Sequence, residues 1–184
     1  MSWKPQIHNI VKAAFRKLEM LYRCRSYFTP EQLLQIYKGF IRPNLEYCSH
    51  IWGGSSSVQL LDRVESKAFR LINSPPLVDN LASLSLRRNV PSLSRFYRYF
   101  NGQCSVDMTS CIPPARRWAR NTRLARGAHR FSVVVGHTRI TYYSTSFFLH
   151  TAKLWNALPS LVFPYSYNLS HFKKLVFWHL FGVD

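Results

Sequence analysis

Acidic residues are scarce. The 184-residue chain has 8 Asp+Glu against 25 Lys+Arg, a formal charge of +17. The carboxylates are also dispersed: Glu19, Glu31, Glu46, Asp62, Glu65, Asp79, Asp107 and Asp184, with no two aspartates adjacent. Nucleotidyl transfer through two metals needs clustered carboxylates holding ions about 3.5–4 Å apart. No nucleophile elbow, phosphate-binding glycine loop or His-Glu-x-x-His occurs either. The sequence therefore predicts no catalysis by this chain alone. Cysteine is sparse too. Cys24, Cys48, Cys104 and Cys111 are far apart, and no pair has zinc-site spacing. His50 follows Cys48 closely, but no second ligand pair accompanies it. Buried free thiols, no metal and no cofactor are expected. Long apolar runs are missing as well: Leu175–Trp178 and Val133–Val135 are far short of the roughly 20 residues a membrane span needs. The opening Met1–His8 lacks a signal peptide's apolar core. The expectation is a soluble intracellular chain, nuclear or cytoplasmic and not secreted, for which the sequon at Asn168 has no use.

What is present is an apolar scaffold with an uneven charge. Hydrophobic residues make up 47% of the chain, too many for a disordered tail and enough for one medium domain or two small ones. Residues 1–90 carry 13 basic and 6 acidic groups, whereas residues 91–130 carry 8 and 1 in less than half the length. The middle segment is the expected seat of an anionic partner.

Helical periodicity dominates the first hundred residues. Ile7, Ile10, Val11, Ala14, Phe15, Leu18, Leu21 and Tyr22 recur at spacings of three and four, predicting an amphipathic helix that stops near Ser26. Thr29-Pro30-Glu31-Gln32 reads as a capping box with proline at the first helical position. The helix it opens carries Leu33, Tyr37, Ile41, Leu45, Cys48 and Trp52, with a kink at Pro43. Ser56-Ser57-Val58-Gln59 predicts another capping box and a third helix over about 57–73, burying Leu61, Val64, Ala68 and Leu71 or Ile72, and ended by Pro75-Pro76. Shorter helices are expected near 79–88 and 92–101, the latter with Leu93, Phe96, Tyr97 and Phe100 inward.

Residues 104–130 have little apolar period and many arginines, as in a linker or arm. Phe131–Val135 and Arg139–Tyr143 are β-rich and flank Gly136-His137, predicting a hairpin. Helices ending before Pro159 and including Leu169–Leu180 follow. The expected fold is mainly α: a helical bundle over 1–103, a basic arm over 104–130, and a small α/β tail with a hairpin over 131–184.

The cations suggest binding. Arg63, Lys67 and Arg70 fall at i, i+4 and i+7 and form one ridge; Arg87, Arg88, Arg95 and Arg98 would extend it. Arg116, Arg117, Arg120, Arg123 and Arg126 cluster in the arm with few acids near them. Interleaved aromatics (Phe96, Tyr97, Tyr99, Trp118) would suit stacking, although their spacing also matches burial. Asp62 and Glu65 share a helix face, where they read as intrahelical partners for Arg63 or Lys67. The expected partner is an RNA or DNA backbone, and no membrane.

Several stretches carry a family resemblance. Tyr37-Lys-Gly-Phe-Ile-Arg-Pro-Asn-Leu-Glu-Tyr-Cys-Ser-His-Ile-Trp52 resembles the segment downstream of the palm in reverse transcriptases of non-LTR (LINE-type, jockey-like) retrotransposons. Asp62-Arg-Val-Glu-Ser-Lys-Ala-Phe-Arg-Leu-Ile72 resembles the helix after it. Leu154-Trp-Asn-Ala-Leu-Pro159, with Phe172-Lys-Lys-Leu175, is similar to the C-terminal end of that polyprotein, and Trp3–His8 to the sequence just past its catalytic aspartates. The paired active-site aspartates do not occur in this chain, nor does a zinc-knuckle pattern. The resemblance implies a thumb and post-thumb region of an RNA-directed DNA polymerase, gripping template and cDNA through Arg63, Lys67 and Arg70. It also implies the palm and fingers of such an enzyme as a protein partner. The alternative is an inert or repurposed protein-interaction remnant of a truncated element.

Overall fold

The computed structural model describes residues 2–116, 129–136 and 139–182. It is mainly helical. The chain divides into two compact units, Met1–Arg88 and Asn89–Asp184; the sequence alone suggests a division after residue 103.

In the first unit, α1 (Lys4–Cys24) buries Ile7, Ala14, Leu18 and Leu21 on one stripe, the face its apolar period foretells. Thr29 then caps α2 (Pro30–Ile36) with both bonds of the capping box: Gln32 N–H donates to the Thr29 hydroxyl, and Thr29 N–H donates to Gln32 Oε1 at 2.9 Å. The helix does not simply kink at Pro43. It widens into a π-turn over Tyr37–Ile41 and resumes as α3 (Arg42–Glu46). A proline ring clashes with the carbonyl four residues earlier and offers no N–H, and the wider turn moves that carbonyl away. Loosened carbonyls find side chains instead: Phe40 O accepts from Asn44 Nδ2 at 2.9 Å and from Lys17 Nζ at 3.1 Å. The helix ends at Glu46 rather than running to Trp52, because Cys48 adopts a left-handed conformation (φ 52°) before the short α4 (Ser49–Trp52).

Helix α5 (Gln59–Ile72) buries Leu61, Val64, Ala68 and Ile72 as expected, with Leu71 half-buried. The capping box foreseen at Ser56 is absent. A 3-10 turn over Ser56–Val58 precedes the helix, and Ser55 caps that turn by accepting from Ser57 N–H. Left-handed Asn73 closes α5 before the prolines, which open α6 (Pro75–Val78).

The pair of helices expected at 79–88 and 92–101 is one helix, α7 (Leu84–Phe100), with Pro91 inside it. Interior proline costs about 3 kcal/mol. The apolar period runs through it regardless, and burial of Val90, Leu93, Phe96 and Tyr97 outweighs that penalty.

In the second unit the short α8 (Val106–Ser110) and α9 (Thr141–Ser144) accompany two longer helices, α10 (Phe147–Asn156) and α11 (Leu169–Phe181). The core centres on Trp155, fully buried among Phe96, Phe100, Phe163 and Phe172 with ring centroids 4.8–5.8 Å away. Its indole N–H donates to Phe131 O at 2.8 Å. His129 Nε2 bonds the Trp155 carbonyl at 2.9 Å, and burial lowers the pKa of that imidazole.

The hairpin is a correction. Thr141–Ser144 is helical, and Val133 pairs with Ala115 in an isolated antiparallel bridge, the one strand-like pairing among the described residues. Its bonds run from Arg116 N–H to Ser132 O at 2.7 Å and from Val134 N–H to Pro114 O at 2.8 Å. His137, at the foreseen turn, lies outside the described residues.

Candidate nucleic-acid interface

Three residues of α5 form the ridge that their spacing foretells. Arg63, Lys67 and Arg70 are exposed on the face opposite Leu61, Val64 and Ala68, and none makes an ion pair among the described residues. Seven residues of helix rise span about 10 Å. One strand of a duplex carries about three phosphates along that length. Lys67 Nζ also lies 4.6 Å from the centre of the Phe15 ring.

Helix α1 adds a second row. Lys12, Arg16 and Arg23 are exposed at i, i+4 and i+11, with Glu19 between them at i+7. Between α1 and α5 runs a groove of about 430 Å³. Phe15, Leu18, Tyr22 and Leu71 form its apolar walls, and Glu19, Lys67 and Arg70 its polar rim. Glu19 is held only by an exposed 3.5 Å pair with Arg23 among the described residues. Such pairs contribute about 0–1 kcal/mol.

Three other carboxylates of this unit are engaged within the fold and pair with none of these cations, whereas Glu31 and Asp79 are exposed. Glu46 takes a two-point ion pair from Arg87, whose Nε donates to Oε1 and whose Nη2 donates to Oε2 at 3.1 Å; Arg42 joins at 3.5 Å. The pairing pushes Arg87 above its already high pKa. Asp62 accepts from Arg88 Nη2 at 2.7 Å. Buried Glu65 accepts from the Tyr37 hydroxyl at 3.4 Å and from Leu84 N–H at 3.3 Å, so it satisfies a donor at the start of α7. Burial raises the pKa of Glu65, and burial together with that carboxylate raises the pKa of Tyr37.

Two sequence-based assignments change accordingly. Arg88 is 4% exposed and Arg87 is tied to Glu46, so both brace the fold instead of extending the ridge. Asp62 and Glu65 find their partners outside α5, not in Arg63 or Lys67. The ion-pairing partners are 26 and 41 residues apart in the chain, and no helical period reports separations of that size.

In the second unit, Arg95 and Arg98 are exposed on α7, and Arg98 Nη2 donates to Gln103 O at 3.4 Å. Arg116 is exposed beside the Ala115 bridge. Arg117, Trp118, Arg120, Arg123 and Arg126 lie outside the described residues. The aromatics foreseen as stacking platforms belong to the core: Phe96 and Tyr97 are buried, and Tyr97 stacks on Phe172 with centroids 4.1 Å apart. Tyr99 is half-buried against Phe147 and Phe148. The thiols differ as well, since Cys24, Cys48 and Cys104 are half-buried and Cys111 is exposed.

Among the described residues no group of three or more His, Cys, Asp and Glu could hold a metal ion. No described helix is long and apolar enough to cross a membrane. Compared with protein-family models, curated proteins and solved structures, the chain matches none.

Proposed function

We propose that this chain is a non-catalytic, nucleic-acid-gripping part of a retrotransposon reverse transcriptase, corresponding to its thumb and post-thumb region. The supporting observation is the row Arg63, Lys67 and Arg70, exposed on one helix face while Glu46, Asp62 and Glu65 are occupied within the fold. Cations freed in this way neutralise phosphates without reading sequence. The resemblance of residues 37–52, 62–72 and 154–159 to that enzyme family points the same way, as does the +17 charge. The partner is an RNA or DNA backbone, and the setting is intracellular.

Arg63→Glu, Lys67→Glu and Arg70→Glu together should weaken binding to every duplex sequence alike. Loss at one sequence alone, or no loss, contradicts the proposal.

A second reading has its own observation. Trp3, Ile10, Tyr47, Ile51 and Trp52 line an apolar groove of about 390 Å³ in the first unit, with Tyr47 and Ile51 exposed. Exposed apolar surface of this kind fits a protein-interaction remnant. Specific association with a protein, without polyanion affinity, would favour it.

A further inference from the structure

We infer that the groove between α1 and α5 takes a single unpaired base of a single-stranded polynucleotide, while Lys67, Arg70 and Arg63 hold the phosphates beside it. This rests on the proposed nucleic-acid grip and gives it a preferred form of substrate. The groove and the ridge are one surface, because Lys67 and Arg70 belong to both. A duplex presents an outer face of sugar and phosphate and would lay that charge across Phe15, Leu18 and Leu71. Covering apolar surface with ionised groups forfeits their hydration without a hydrogen bond in return. An unstacked base offers a flat apolar face to those walls and its own phosphates to the rim.

Tyr22 supplies the platform. The residue is 54% exposed and lines the groove, and its ring centre lies 3.9 Å from the Arg25 guanidinium carbon, which orients it. Arginine and an aromatic ring together make the sequence-tolerant surface on which single-stranded bases stack. Glu19 sets the edge. A carboxylate in a row of cations is unfavourable for a phosphate at the same point, yet it accepts hydrogen bonds from base N–H groups. Its one ion pair among the described residues is the weak, exposed contact with Arg23. Base edge and phosphate are thereby assigned different positions along the rim. The volume, about 430 Å³, lies in the range of about 300–1,000 Å³ usual for small-ligand clefts. An acidic amphipathic protein helix could answer the same charges, but Glu19 opposes it and a groove lined by a few residues suits one ring.

The test uses the full chain and three probes of equal phosphate number: a single-stranded oligonucleotide, its abasic counterpart, and a blunt duplex. The base-bearing strand should bind about 5- to 150-fold more tightly than the abasic one, the range of one stacked base. Tyr22→Ala keeps a good helix former at an exposed site, so the fold should stand. It should erase the difference between the strands while leaving abasic affinity unchanged. Equal affinity for both strands, or a difference that survives Tyr22→Ala, overturns the base site yet leaves the phosphate grip standing. Failure to bind any of the probes overturns both. Binding of an acidic amphipathic peptide that Tyr22→Ala abolishes, with the oligonucleotides unaffected, assigns the groove to a protein and overturns the inference.

Discussion

The Asn156 side chain holds both backbone groups of Val133: Val133 N–H donates to Asn156 Oδ1 at 2.9 Å, and Asn156 Nδ2 donates to Val133 O at 2.9 Å. One amide thus does for an extended segment what a neighbouring strand would do. Trp155, one residue earlier, anchors the same segment through Phe131 O. Ala157 caps the helix through its backbone N–H, Leu158 is buried and Pro159 follows the helix end, so each residue of Trp-Asn-Ala-Leu-Pro has a visible structural task.

Asn156→Ala should therefore lower the stability of the second unit by about 2–4 kcal/mol, because a donor and an acceptor at a buried residue lose their partners together. Asn156→Asp keeps the acceptor for Val133 N–H but sets a carboxylate oxygen against Val133 O, and should also be destabilising. Denaturant unfolding measures both. A loss below about 0.5 kcal/mol for Asn156→Ala, the scale of ordinary surface changes, contradicts the role assigned to this side chain.

Arg88 and Arg63 should separate fold from binding. The Arg88 side chain is 5% exposed and its partner Asp62 is 44% exposed. Asp62→Ala removes that carboxylate from the buried guanidinium and should cost about 1–3 kcal/mol. Arg63→Ala should stay within about 0.5 kcal/mol in stability and act on nucleic-acid affinity instead. Thermal melts and a binding titration of the same variants test the division. A stability loss for Arg63→Ala as large as that for Asp62→Ala would contradict it.

How far the sequence foretold this arrangement depends on the range of the forces involved. Local devices were legible: the stripe Ile7–Ala14–Leu18–Leu21, the Thr29 capping box, the buried face of α5 and the exposed ridge opposite it all follow from helical period and side-chain chemistry. Long-range partners were not. Nothing near Arg87 or Arg88 announces Glu46 and Asp62, so both arginines read as free surface charge. The β-rich stretch Phe131–Val135 reads as a hairpin strand, yet only Val133 makes a bridge, and period two cannot tell a hairpin partner from an asparagine on a helix. Pro91 misled in the opposite direction, since a local breaker was overridden by a buried face.

Glu65 makes stability depend on pH in a stated direction. Burial raises its folded pKa above the ordinary 4.5, so between the two values the folded chain binds a proton that the unfolded chain lacks. Its contribution is greatest below the unfolded pKa and is lost as pH rises through the folded one. Glu65→Gln cannot titrate there. The wild type should gain stability relative to Glu65→Gln on acidification through that window, with a slope of at most about 1.4 kcal/mol per pH unit. Unfolding curves of the pair at several pH values check this, and a relative loss on acidification would reverse the sign and contradict it.

The most direct measurement of the central claim is the salt dependence of binding to duplex DNA. With roughly 5–8 phosphates neutralised, log K against log salt should slope between about −4 and −7 for the natural chain. Neutralising the ridge by Arg63→Gln, Lys67→Gln and Arg70→Gln should reduce that slope by about 3. A slope near zero, or one that the triple variant leaves unchanged, would contradict a phosphate grip on this helix.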